Sequence, residues 1–368
     1  MITLITDMAI YLKKFENHTQ YDNYINGSGA ILPNVSICTT EGDVHYNPYV
    51  EPETRVVAKF NVTDTSSPTP IGYNQYTSGF SEIEIDGVET AVTSAYTFTT
   101  TGEHTVKYTL TDPTSIGNYA FRSCSSLISI DIPDGVTSIG NSAFENCSGM
   151  TTCTIGDGVT SIGSQAFYNC RSLTSIVIPN SVTSIGGSAF QYCYSLTNVT
   201  IPDSVTSIGN YAFEYCSSLT SCTIGSGVTS IGERAFASCT GLTSVNIPSG
   251  VTSIGQGAFY DCRRLTSIAI PDSATRIDNE AFATCSSLTS VTIGTGVTTI
   301  GNYTFYQCSG LTSIVSNATT APTIANSTFI GVKIGGTLYV PQGSTGYDVW
   351  MGTGNYYLGK YDWSKVEQ

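Results

Sequence analysis

Charge is scarce in this chain. Of 368 residues only 11% are charged, and 14 Lys and Arg stand against 28 Asp and Glu for a formal net charge of −14. Folded proteins usually carry about a quarter of charged residues. Residues 115–321 contain no Lys and no His. A nucleic-acid partner needs a basic stripe that displaces counterions, and no such stripe exists. The same shortage disfavours anionic membrane surfaces, and the acidity serves solubility. No apolar run approaches the ~20 residues of a spanning helix, so membrane insertion is not expected. The N-terminus lacks the order of a signal peptide, since its basic pair, Lys13 and Lys14, follows the apolar stretch. There is no Cys-x-x-Cys, and His18, His45 and His104 lie far apart before residue 115. These absences leave no metal site, no cofactor site and no catalytic triad to assign, and we expect no enzyme. For the three His, solvated or hairpin positions are expected.

What is present is repetition. The string TSIGxxAFxxCxxLTSIxIPxxV recurs with a 23-residue period in nine copies, which open at Ser115 and continue to Arg276 and Thr299. In the copy Ser161–Thr183, LTSIVIP alternates as a strand. Leu173, Ile176 and Ile178 face inward, Ser175 and Val177 outward, and Pro179 ends the strand because it has no N–H to donate. Gly163, replaced by Asp278 in the eighth copy, reads as a left-handed turn position. Phe167, Cys170 and Leu173 run at i, i+3, i+6, which suits a short helix or 3-10 turn. One turn cannot enclose its own apolar side chains, so stacked turns bury a continuous core and align their strands as a parallel sheet. Ile324 and Phe329 keep the spacing of Ile300 and Phe305 and mark a degenerate tenth copy.

This pattern resembles the BspA-like leucine-rich repeat family of bacterial and protist surface proteins over residues 115–341, through its AFxxCxxLxxIxIP signature. The resemblance implies adhesion and host-surface binding in general terms. The expected fold is an α/β solenoid: a leucine-rich-repeat array with a parallel sheet and short helical or 3-10 turns, preceded by a small all-β domain. Residues 1–52 form a leader with a helical turn or two near FENHTQYDNYINGSG and a hairpin in NVSICTTEGDVHYNPY. Residues 53–112 are read as an immunoglobulin-like sandwich, residues 113–341 as repeats, and residues 342–368 as an aromatic cap. In this cap Trp350, Trp363 and their Tyr neighbours either close the core or stack on sugar. The leader is also similar to virion proteins of phages infecting gut anaerobes. That similarity implies release by lysis, so the expected location is extracellular, on a bacterial surface or a virion. Val106, Tyr108 and Leu110 alternate as repeat strands do, and we expect their strand to cover the open edge of the first repeat.

Nine Cys recur once per copy, and Cys153 and Cys222 replace an inward Ile. Buried free thiols are the main reading, beside cross-turn disulfides and metal. Two surfaces compete for ligand. The outward strand face is polar and monotonous. The edge around Ala-Phe varies instead and carries Tyr119, Tyr168, Tyr192, Tyr211, Tyr215, Tyr260, Tyr303 and Tyr306. Tyr adds rigid contact area at low entropy cost, as in antibody loops, although tolerant surface positions would look similar. The expected function is non-catalytic binding of a host or cell-surface protein or glycan. The alternatives are a structural virion or scaffold component, and a hydrolase confined to residues 1–112. The oligomeric state is left open.

Overall fold

A computed structural model describes residues 55–72, 79–325, 327–354 and 356–368, together with two short strand pairs nearer the N-terminus. The chain divides into two units, Met1–Glu53 and Thr54–Gln368. In the first, β1 (Leu4–Ile5) pairs antiparallel with β2 (Ile10–Tyr11), and β3 (Ile37–Thr40) with β4 (Asp43–Tyr46). The helical segment expected around residues 15–29 lies outside the described residues.

The second unit opens with β5 (Arg55–Val62), β6 (Thr69–Pro70), β7 (Phe80–Ile85), β8 (Val88–Thr90), β9 (Ala95–Tyr96) and β10 (Gly102–Leu110). The described residues do not show the immunoglobulin-like sandwich. β5, β10, β7 and β8 lie in one sheet, and only the two-residue pair β6·β9 stands outside it. The repeats begin with β11 (Ser115–Ile116), β12 (Leu127–Ile132), β13 (Ser138–Ile139) and β14 (Thr152–Ile155). The sheet order β14-β12-β5-β10-β7-β8 carries the repeat strands directly into the N-terminal strands. The strand that covers the first repeat is therefore β5, antiparallel with Ile130 opposite Ala58, and not β10. β10 lies one place further out, with Val106 opposite Ala58 on the far side of β5. Val106, Tyr108 and Leu110 are buried in the core all the same.

Each turn of the solenoid contributes three ladders. Its Ser-Ile pair joins a ten-stranded parallel sheet running from Ser115–Ile116 to Thr323–Ile324, so the degenerate copy stacks in register with the nine regular ones. Its LTSIxIP segment forms the second ladder, and in the copy Ser161–Thr183 the side chains of Leu173, Ile176 and Ile178 are buried while Val177 is 78% exposed. The Ala-Phe segment forms the third, and here helix does not form. Amides alternate between partners. Ala120, Arg122 and Cys124 N–H groups bond three residues back to Gly117, Tyr119 and Phe121 carbonyls, whereas Tyr119, Phe121 and Ser123 N–H groups bond forward to Asn141, Ala143 and Glu145. A helix would use every amide within its own turn; stacking takes half of them instead. The chain can do this because Tyr119 (φ 61) and Ser123 (φ 62) are left-handed, as are the matching residues of the other regular copies.

The left-handed expectation at Gly163 is therefore misplaced. Gly163 has no positive φ. Glycine stands there because a Cβ would lie 2.6 Å from the Gly140 carbonyl carbon of the turn below. Asp278 is likewise free of positive φ.

Phe121, Phe144, Phe167 and their successors to Phe329 form a stacked column with centroids 5.1–5.9 Å apart. Tyr108 and Phe80 close it at one end, at 5.1 and 5.4 Å from Phe121, and Trp350 closes it at the other, 5.5 Å from Phe329. The eleven Cys from Cys124 to Cys308 are free and buried. From the second copy on, the column Cys donates its thiol to the Phe carbonyl of the preceding turn, as Cys216 does to Phe190 at 3.2 Å. The free-thiol reading holds, and the structure adds a hydrogen-bond partner to it.

Candidate binding edge

In each turn the side chains that vary most sit at the two left-handed positions and at the residues after Phe and after Cys. Most other polar groups are committed. Thr137 and Thr160 hydroxyls donate to the carbonyls of Thr114 and Thr137, and a second Thr ladder runs through Thr151, Thr174 and Thr197. Asn118, Asn141, Asn210 and Asn279 accept the backbone N–H of the next turn. Asp134, Asp203 and Asp272 do the same after the strand. These side chains are structural, although several border the edge.

The structure gathers the eight candidate tyrosines unevenly. Tyr192 stacks on Tyr215 (4.9 Å, 11°) and meets Tyr168 edge-on at 5.4 Å, with Tyr194 alongside at 5.9 Å. Tyr119 lies under the Arg122 guanidinium. Tyr211 donates its hydroxyl to Glu233 at 2.7 Å. Tyr303 and Tyr306 meet edge-on at 5.6 Å. They and Tyr260 line an open concavity of about 580 Å³, together with Glu280, Ile330 and Tyr356. Tyr194, Glu280, Ile330 and Tyr356 are additions that sequence reasoning missed. Tyr194 and Glu280 were detectable as variable residues inside an otherwise fixed copy, whereas Tyr356 lies beyond the array and is brought back only by the fold.

Between the two clusters lies Glu214, 5% exposed. Burial holds its carboxyl above the ordinary range, against the opposing hydrogen bonds of Gln191 and Arg234. Arg234 reaches it at 3.4 Å and also lies 5.2 Å over the Tyr260 ring. In the N-terminal sheet His104 is buried, not solvated as expected. Its Nδ1 lies 2.6 Å from Asp86 and its Nε2 2.9 Å from the Thr100 carbonyl. Among the described residues, no three His, Cys, Asp or Glu side chains gather as a metal would require. No helix among them is long and apolar enough to cross a membrane.

A family model described as the BspA type leucine rich repeat region matches residues 92–220 and 206–334, most of the chain. The chain belongs to this BspA-type family. Solved relatives include a leucine rich cell surface protein of Faecalibacterium prausnitzii. It is 30% identical over 63% of this chain and 78% of its own, with a TM-score of 0.43. A T. pallidum leucine rich repeat protein is 35% identical over 41% of this chain and 71% of its own, with a TM-score of 0.40. A leucine-rich repeat protein from Bacteroides ovatus is 24% identical over 74% and 90%, with a TM-score of 0.34. No curated protein matches the chain. The family match is to a leucine-rich repeat region and indicates no enzymatic family.

Proposed function

We propose that this BspA-type protein is a non-catalytic adhesin whose tyrosine edge contacts a protein or glycan on a host or neighbouring cell. One observation carries the reading: the large side chains that vary most from turn to turn lie along the edge, while the Thr, Asn and Asp side chains beside it are spent on cross-turn ladders. Every turn needs its left-handed positions, but Asn, Asp or Gly would fill them with less strain, so Tyr192, Tyr215 and Tyr303 stand there against conformational preference. The protein works outside the cell on a bacterial surface. Display on a phage virion rests on the leader's resemblance alone.

The test is cell binding by the labelled full chain, with target cells treated beforehand with protease or with glycosidases to separate protein from glycan ligands. A variant carrying Tyr192→Asn, Tyr215→Asn, Tyr260→Asn and Tyr303→Asn should lose binding while keeping its melting temperature, because Asn tolerates the positive φ of three of these positions and Tyr260 is only half-buried. Wild-type protein that binds no cell type, or a variant that binds as well as wild type, refutes the proposal.

A further inference from the structure

The concavity at the C-terminal third of the edge has a specific construction. The residues after Phe in four successive turns are Tyr260, Ala283, Tyr306 and Ile330. The small Ala283 lies at the floor between two tyrosines whose backbones are two turns, ~10 Å, apart. The array contains the same notch once more, at Ala237. There Arg234 fills it, bridging Glu214 and the Tyr260 ring. At Ala283 the corresponding side chain is Glu280, and nothing from the chain fills the space.

The lining is rich in unused polar groups. Among the described residues, the Glu280 carboxylate and the hydroxyls of Tyr260, Tyr303, Tyr306 and Tyr356 have no hydrogen-bond partner. Tyr303 and Tyr356 are 43% and 44% exposed, so two ring surfaces stand at the mouth. The chain's own cations already occupy aromatic faces here. Arg234 lies over Tyr260, and the Lys360 ammonium lies 4.0 Å from the Tyr356 centroid. Arg234 is paired with Glu214, and the formal charges of Arg234, Glu214, Lys360 and Glu280 sum to zero. A cationic guest would meet ring faces already shared with positive charge. A neutral guest with many hydroxyls would meet acceptors, donors and ring faces together.

From this we infer that the concavity is a binding site for a neutral oligosaccharide, with sugar rings stacked on Tyr303 and Tyr356 and hydroxyls donated to Glu280. The inference rests on the adhesin reading and narrows it to one place and one ligand class. It is tested with the full chain against an array of neutral glycans that includes cellotriose, chitotriose, maltotriose and mannotriose. Saturation-transfer NMR then follows any glycan that binds, with tetramethylammonium and arginine methyl ester as cationic competitors. At least one neutral glycan should bind, and neither cation should displace it. Tyr303→Asn and Tyr356→Ala should each weaken binding by about tenfold, the scale of one lost aromatic contact, and Glu280→Gln should weaken it too. All three positions lie at the surface, and unchanged melting temperatures show that the variants fold. Absence of neutral-glycan binding, binding indifferent to these substitutions, or displacement by the cations overturns the site. If cell binding persists undiminished in the Tyr303→Asn/Tyr356→Ala double variant, this site fails while the adhesin reading stands. If wild type binds no cell, the adhesin reading itself fails.

Discussion

At the N-terminal end of the solenoid the open edge of β12 is taken by an antiparallel strand, β5. At the C-terminal end the edge of Thr337–Val340 is taken by a parallel one, Ser364–Glu367. Both ends also close the Phe column with an aromatic whose polar atom is satisfied. The Tyr108 hydroxyl donates to the Ile71 carbonyl at 2.6 Å, and the Trp350 indole to that of Pro322 at 3.0 Å. The difference lies in the return path. β5 comes from far earlier in the chain, with β6 to β11 between it and β12, whereas Ser364–Glu367 follows Thr337–Val340 directly and, being parallel to it, needs a crossover of a dozen residues or more. The C-terminal end therefore spends the stretch after Pro341 on one more turn, and that stretch carries Tyr347 and Trp350 under the column. Its final edge is charged. Lys365 faces Asp348 at 3.3 Å and Glu367 at 3.6 Å, which discourages a further strand from adding. The N-terminal end instead extends its sheet through β10, β7 and β8.

The largest effect expected is from removing either end. A chain beginning at Asp112 loses β5 together with Tyr108 and Phe80, exposing an unpaired edge and the face of Phe121. A chain ending at Gly343 loses Trp350 and the last strand but keeps Thr337–Val340. Both should aggregate on size-exclusion chromatography or melt lower than Thr54–Gln368, the N-terminal deletion by the wider margin, roughly 10 °C for a loss of several kcal/mol. If the chain from Asp112 stays monomeric and melts with Thr54–Gln368, β5 is not a cap.

Much of this was legible beforehand, and the reasons are physical. Leu173, Ile176 and Ile178 were assigned inward because alternation over a strand has one solution once Pro179 ends it. Thr323–Ile324 followed from the spacing to Phe329. β5 was not legible, since nearness in sequence favoured β10 and pairing order is set by contacts far apart in the chain. The left-handed residues were hidden because Tyr119, Gln165 and Arg234 are not types that signal positive φ. Only down the column do Asn146, Asn169, Gly257 and Asp261 betray it. The binding edge was legible as a composition. The concavity was not, because Tyr356 reaches it only after the chain has left the array.

The middle of the array should respond more weakly than its ends. Cys216→Ala removes a buried sulfur and one of the two bonds accepted by the Phe190 carbonyl, which keeps only the Cys193 amide. A cost of about 1–2 kcal/mol follows in urea denaturation. Cys216→Ser retains a donor and should cost less. A larger loss with Ser than with Ala would show that the carbonyl does not matter. Thiol reagents should label the native protein slowly, since burial pushes Cys193 and Cys285 up to about 12.

A smaller effect distinguishes the two ends by pH. Burial lowers the His104 pKa, but the Asp86 and Thr100 hydrogen bonds outweigh it, and the net shift is upward. The stabilisation this gives is complete below the unfolded value near 6.5 and fades as pH rises through the folded one. For Asp86, burial opposes but the His104 and Thr105 bonds prevail, and its pKa is lowered. Its contribution is present above the unfolded carboxylate value and fades as pH falls through the folded one. The melting temperature should thus drop slightly from about pH 6 to about pH 8, and His104→Gln should flatten that slope. An NMR titration that places His104 below 6.5 contradicts the pairing.

The smallest effect concerns the two ways this chain makes left-handed turns. Beyond the regular copies it turns mainly on glycine, at Gly331, Gly335, Gly343 and Gly346, all with positive φ, beside Tyr356 and Asp362. Inside the array it uses side chains and accepts the strain, except at Gly257. Gln165 is the simplest place to exchange one for the other. Its φ is 58, it is exposed, and its side chain accepts one hydrogen bond, from the Ser142 hydroxyl at 3.3 Å. Its amide bonds forward to the Gly187 carbonyl, which any residue preserves. Gln165→Gly relieves about 1–2 kcal/mol of left-handed strain and gives back about 0.4–1 kcal/mol through the freer unfolded chain. A net gain of about 0.5–1 kcal/mol remains. Ser164 next to it is exposed and has no positive φ. Ser164→Gly therefore meets only the entropic penalty and should lose about 0.5–1 kcal/mol. Denaturant midpoints that move in opposite directions for these neighbours would locate the strain at Gln165, and midpoints that move the same way would remove it from the argument for the tyrosines that share its conformation.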